Sequence, residues 1–127
     1  MLILTFGWAR AITLWPFVIF KNKSVSVNPT TLSHEAIHCM QQIEILFVAV
    51  LIYLFIGIFA GLWTWTLFIL LLFYVLYFVE WLIKMIKYGS SLAYENISFE
   101  KEAYDNSNIT EYWKQRPVFG WIKYLVL

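Results

Sequence analysis

Apolar residues fill the middle of this chain with no charged residue between Ile45 and Val79, a run of 35 positions. As one helix that run would be about 52 Å long, well beyond a hydrocarbon core of about 30 Å. Gly57 and Gly61 lie near its middle, followed by "LWTWT". The pattern therefore predicts two spans, roughly 43–60 and 63–83, joined by a tight turn, with Trp63 and Trp65 at the far interface. Upstream, "AITLWPFVIF" (Ala11–Phe20) is β-branched and aromatic and is bounded by polar "KNKSVSVN", which predicts a short strand. Pro16 makes that strand an edge or a bulged one. Asn28 as N-cap and Pro29 at the first helical position then start a helix, and nothing breaks it from Thr30 to Phe55.

Past the second span, Glu80 and Lys84 have i,i+4 spacing, and Gly89-Ser90-Ser91 marks the exit. "AYENISFEKEAYDN" reads as helical, with Ser98 as an N-cap, and Asn108 with Glu111 has capping-box spacing. Pro117 ends that piece, and the aromatic tail "VFGWIKYLVL" suits a membrane interface. The expected fold is one mostly α domain over residues 1–127. It comprises a two-span transmembrane helical hairpin, a short N-terminal strand element and C-terminal helices.

Composition agrees. Hydrophobic residues make up 61% of the 127 and charged residues 13%, about half the share usual in soluble proteins. The net charge of +1 is uninformative, but its distribution is not. All nine Lys and Arg flank the spans: Arg10, Lys21, Lys23, Lys84, Lys87, Lys101, Lys114, Arg116 and Lys123. A hairpin puts them on one side, which the positive-inside bias makes cytoplasmic, together with both termini. The N-terminal stretch lacks a basic n-region and a cleavage site, so it is expected to be membrane-adjacent or packed on protein. The lone Cys39 excludes an internal disulfide and is expected to be a small buried residue.

Chemistry enters at "LSHEAIHCMQQ", where His34, Glu35 and His38 form H-E-x-x-H with the chain's only two histidines. Residues four apart on a helix differ by about 40° around the axis, so both imidazoles reach one ion. Glu35 lies about 100° from His34, within reach of a water acidified by zinc but off the ligand face. A catalytic zinc needs a third protein ligand, and with no third histidine a carboxylate must supply it. Glu95, Glu100, Glu102, Asp105 and Glu111 are the cytoplasmic-side candidates, with Glu44 and Glu80 nearer the membrane. Tyr94, Tyr104 and Tyr112 are candidate oxyanion stabilisers, and Gln41 and Gln42 have no assigned role.

Phe99-Glu100-Lys101-Glu102-Ala103 resembles the third-ligand motif of gluzincin-type membrane proteases, the CAAX prenyl protease and its bacterial heat-shock relatives. There Glu is followed by two residues and Ala-Asp. The resemblance places the ligand at Glu100, with Glu102 as its rival. Tyr104 replaces the Asp and Asp105 is one place out of register, which leaves these two for the oxyanion or for support of the ligands. Ala11-Ile12-Thr13, the polar loop, and His34 through Gln42 resemble a soluble zincin-like group found beside bacterial toxins. The whole chain resembles a small membrane family of Bacteroidetes bacteria with H-E-x-I-H-x-x-Q-Q, two spans and "ISFE-x-EAY". Together these resemblances imply a Zn²⁺ site of two His and one Glu in the bacterial inner membrane, beside a strand able to take up an extended peptide.

The expected function is thus a membrane-bound zinc metallopeptidase cutting peptide bonds at the cytoplasmic membrane face, with Glu35 as general base. The alternatives are a non-catalytic subunit with a structural or vestigial metal site, and a zinc hydrolase of a lipid-linked ester or amide. Expected partners are the lipid bilayer, a peptide or protein substrate, and further copies or subunits of a membrane complex; nucleic acid is not among them.

Overall fold

The computed structural model describes residues 1–5, 10–26, 28–60 and 66–125. They are mostly helical, with one small sheet near the N-terminus. Strand β1 (Leu2–Leu4) pairs parallel with β3 (Phe17–Phe20), which pairs antiparallel with β2 (Ala11–Leu14), in the order β1-β3-β2. The single strand expected over Ala11–Phe20 is thus a hairpin. Trp15 and Pro16 form its turn, where the fixed φ of proline and its lack of an N–H are harmless. β2 lies at a sheet edge, a position that decides its relation to the site.

After a short helix α1 (Lys23–Ser26), α2 runs unbroken from Pro29 to Ala60. Its start is capped as expected: Asn28 Oδ1 accepts from the Thr31 N–H at 3.1 Å. The helix bearing His34 and His38 and the first apolar stretch are therefore one rod of about 48 Å. Over Pro29–Ile56 α2 is long and apolar enough to cross a membrane, and little of that length is buried inside the molecule. α3 (Thr66–Tyr88) packs antiparallel on α2: Gln42 and Tyr74 reach one acceptor near the sheet, and Ile45 meets Phe73 deeper down. The expected turn with Gly61, Trp63 and Trp65 lies outside the described residues.

Gly89 ends α3 with φ +79°, a conformation that suits glycine. α4 (Ser90–Ala93) and a 3₁₀ turn (Tyr94–Asn96) lead into α5 (Ser98–Asn106). The N-cap of α5 is Ile97 rather than Ser98. Glu80 of α3 does the capping from outside, its two oxygens accepting from the Ser98 N–H at 2.8 Å and the Ser98 hydroxyl at 2.7 Å. Glu80 is 4.0 Å from Lys84, and its main role is thus to pin α5 to α3 rather than to face lipid or solvent. Phe99 on α5 packs with Ile45, Phe73 and Ile97 in the core that joins α2, α3 and α5.

Helix α6 (Tyr112–Gln115) begins three residues later than the Asn108 capping box implied, because Glu111, at φ +54°, is the N-cap and pairs with Lys114. The last 3₁₀ turn, Gly120–Tyr124, packs against α5, with Trp121 4.6 Å from Phe99 between ring centroids. The tail expected at a membrane interface is therefore partly core.

Candidate metal centre

Two faces of α2 organise the site. His34, His38, Gln41 and Ile45, at i, i+4, i+7 and i+11, look toward α5, while Glu35 and Gln42 look toward β2. The first turn of α5 brings Glu100 over the histidines. Its Oε2 lies 3.3 Å from His34 Nε2 and its Oε1 3.4 Å from His38 Nε2, and the two Nε2 atoms are 3.1 Å apart. Ligands about 2.05 Å from a tetrahedral ion sit about 3.3 Å from one another, so the gap between the two Nε2 atoms and that between His34 Nε2 and Glu100 Oε2 suit a zinc-sized ion, with Oε1 the oxygen nearer His38. The residues form a group that could hold a metal ion.

The polar satisfaction of Glu100 points the same way. Oε1 accepts from the Tyr77 hydroxyl at 2.8 Å, whereas Oε2 is buried with no hydrogen-bond partner. An orphaned carboxylate oxygen beside two imidazoles is costly unless a cation or proton sits among them. Burial pushes the Glu100 carboxyl pKa up, but the closeness of His34 and His38 and the charge of His38 outweigh it, leaving the pKa well below the usual range.

Glu102, the rival ligand, is turned away. Fully buried, it accepts from Arg116 Nε and Nη2 at 3.1 and 2.8 Å, from Gln41 Nε2 at 2.9 Å and from the Tyr112 hydroxyl at 3.3 Å. Arg116 also donates to Glu44 at 2.5 Å, and Glu44 accepts from the Phe119 N–H at 3.0 Å. Burial works against the Arg116 charge, but the bonds to Glu102 and Glu44 outweigh it and raise its pKa above the ordinary value. Glu44 and Tyr112 thus belong to an ion network that anchors the C-terminal segment.

Among the remaining candidates, Glu35 is buried with its Oε2 accepting from the Thr13 hydroxyl at 2.6 Å, an anchor from the edge strand. Tyr104 packs edge-on against His34 at 4.7 Å between centroids. Burial first and the Glu100 charge second push the hydroxyls of Tyr94 and Tyr104 up, so both are hydrogen donors at neutral pH. Asp105, Glu95 and Glu111 are exposed and contribute nothing to the cluster. Cys39 is buried against Val18 and Phe20, as its type implied. Sequence reading missed Gln41, Tyr77 and Thr13 as partners of His38, Glu100 and Glu35. Only Gln41, three residues after His38 on the same helix, carried a local signal.

A cavity of about 250 Å³ lies over the cluster, lined by β2, His34, Glu35, His38, Glu100 and tyrosines 74, 77 and 94. A second, of about 380 Å³, adjoins it through Ala11, His34, Glu35 and Tyr94 and reaches Arg10 and Tyr104. The two make a cleft along the outer edge of β2. Arg10 C=O pairs with Lys21 N–H across the hairpin, so ladder alternation turns the polar groups of Ala11 and Thr13 outward. The Thr13 C=O is taken by Gln42 and Tyr74, at 2.9 and 3.0 Å. No family model, curated protein or solved structure matches the chain.

Proposed function

We propose that the chain is a membrane-anchored zinc hydrolase of peptide bonds, with His34, His38 and Glu100 as zinc ligands and Glu35 as general base. The observation that carries this reading is the meeting of two imidazole nitrogens 3.1 Å apart with the buried Glu100 carboxylate, its unpartnered Oε2 3.3 Å from His34 and its Oε1 3.4 Å from His38. Zinc bound there would lower the pKa of a water into the neutral range. Glu35 shares the cavity with the three ligands without joining them, and takes the proton. Thr13 holds the Glu35 carboxylate by its Oε2 and so fixes where the proton goes. Tyr94, a neutral donor on the cavity wall, faces the place where charge develops on a carbonyl oxygen. The outward N–H and C=O of Ala11 offer an extended peptide a ladder beside the cluster.

The proposed setting is a two-span hairpin. Exposed apolar side chains run along both helices, including Phe47, Leu51 and Phe55 on α2 and Val75, Phe78 and Val79 on α3, which suits contact with lipid. His38 precedes Ile43 by five residues, so the cluster sits about 7.5 Å above the apolar stretch, on the side that carries the Lys and Arg residues. That side is the cytoplasmic one in this reading.

Metal analysis of the purified protein in micelles tests the site. Wild type should carry about one zinc per chain, and His34→Ala and Glu100→Ala should lose it. Unchanged zinc in both variants overturns the assignment. Glu35→Gln should keep zinc and abolish cleavage of a quenched fluorescent peptide library. Equal cleavage by Glu35→Gln and wild type would remove Glu35 from the chemistry.

A further inference from the structure

Gln41 touches both the metal cluster and the helix that delivers the carboxylate, and its orientation is over-determined. On one side of its amide lie the Phe99 carbonyl, 3.0 Å away, and Glu102 Oε2, 2.9 Å away. A backbone carbonyl and an Arg-paired carboxylate can only accept, so the amide nitrogen must occupy that side. The amide oxygen is thereby turned to His38 Nδ1, at 2.7 Å. An oxygen can only accept there, so Nδ1 carries hydrogen, and Nε2 is the nitrogen left to face His34 and Glu100.

We propose that Gln41 is a positioning residue that fixes the tautomer and ring angle of His38, and that α5 and the C-terminal Arg116 set Gln41 through Glu102. This deepens the zinc-site reading and rests on it. The chain Arg116–Glu102–Gln41–His38 is buried throughout, so no water substitutes for a missing member without rearrangement. α5 therefore serves the site twice. Glu100 is a ligand, while Glu102 and the Phe99 carbonyl, on another face of the same helix, decide which nitrogen of a second ligand is available. Docking of the C-terminal segment, through Arg116, is thereby coupled to metal affinity.

The test compares Gln41→Leu with Gln42→Leu in the full-length protein in micelles. Gln42 is the neighbouring amide, but it bonds Thr13 of β2 and Trp15 of the hairpin turn rather than His38. Zinc affinity is measured by competition with a chromophoric chelator. Gln41→Leu should bind zinc about 10- to 100-fold more weakly, the range for lost outer partners of ligating histidines, and Gln42→Leu within about 3-fold of wild type. In zinc-loaded protein labelled with ¹⁵N-histidine, His38 should show a slowly exchanging Nδ1–H and a metallated Nε2. That signal should be lost or broadened in Gln41→Leu and kept in Gln42→Leu. Unchanged affinity in Gln41→Leu, with binding abolished by His34→Ala, overturns the relay and leaves the zinc site standing. Unchanged affinity in His34→Ala overturns the site itself. Should Gln41→Leu fail to fold, the wild-type spectrum alone decides: metal on His38 Nδ1 overturns the proposal.

Discussion

Replacing Arg116 with Met leaves two carboxylates without their shared counter-ion. The Arg116 side chain is 2% exposed, that of Glu102 0% and that of Glu44 10%, so water is in no position to take over. This separates the network from a surface ion pair, whose loss costs about 0–1 kcal/mol. Removing one partner of a buried pair costs about 3–5 kcal/mol, because the remaining charge stays desolvated. Three guanidinium nitrogens are engaged here, at 2.5, 2.8 and 3.1 Å, so Arg116→Met belongs in the upper half of that range. Equilibrium unfolding in mild detergent, followed by helical circular dichroism, measures it. The triple variant Glu44→Leu, Glu102→Leu, Arg116→Met supplies the decisive comparison. If stranded charge is the cause, removing all three charged groups recovers most of the lost stability despite deleting more hydrogen bonds. A loss below about 1 kcal/mol in Arg116→Met, or a triple variant worse than the single, would exclude stranded charge as the cause.

Thr13→Val removes the 2.6 Å hydrogen bond to the Glu35 carboxylate and should slow peptide cleavage about tenfold, the equivalent of about 1.4 kcal/mol, while zinc content stays at wild type. Gly120→Ala would place a Cβ 2.3 Å from Glu102 Oε1 and should destabilise the fold by about 1–3 kcal/mol, read in the same unfolding assay. Glu80→Ala strands the buried Ser98 N–H at the start of α5 and should cost about 1–3 kcal/mol. Because Glu100 lies in the first turn of that helix, zinc affinity should fall with it, measured by chelator competition.

Features that depend on neighbours along the chain were legible from the residues alone. Asn28 and Pro29 start the helix, the i,i+4 spacing of His34 and His38 points two imidazoles the same way, and the absence of a breaker carries that helix into the apolar run. Each follows from helix geometry acting over one or two turns. The Ala11–Phe20 segment was legible as β structure, but whether Pro16 bends an edge strand or turns a hairpin depends on whether Phe17–Phe20 finds partners, and it finds two. The capping patterns at Ser98 and Asn108 failed for a similar reason. Glu80, 18 residues upstream of Ser98, satisfies that helix start, and Asn108 Oδ1 accepts from the distant Thr30 hydroxyl at 3.4 Å while Glu111 takes the N-cap position of α6.

The choice between Glu100 and Glu102 as the carboxylate beside the histidines depends on distant contacts. Two residues apart on one helix, they point about 200° from each other, so one docking angle sends one to the histidines and the other away from them. That angle is set by the contacts of Phe99 with Ile45 and Phe73, by the Glu80 cap and by the Arg116 clamp, drawn from three distant parts of the chain. A motif of local spacing contains none of these, which is why "FEKEAY" named two candidate ligands and the fold brought one of them to the histidines.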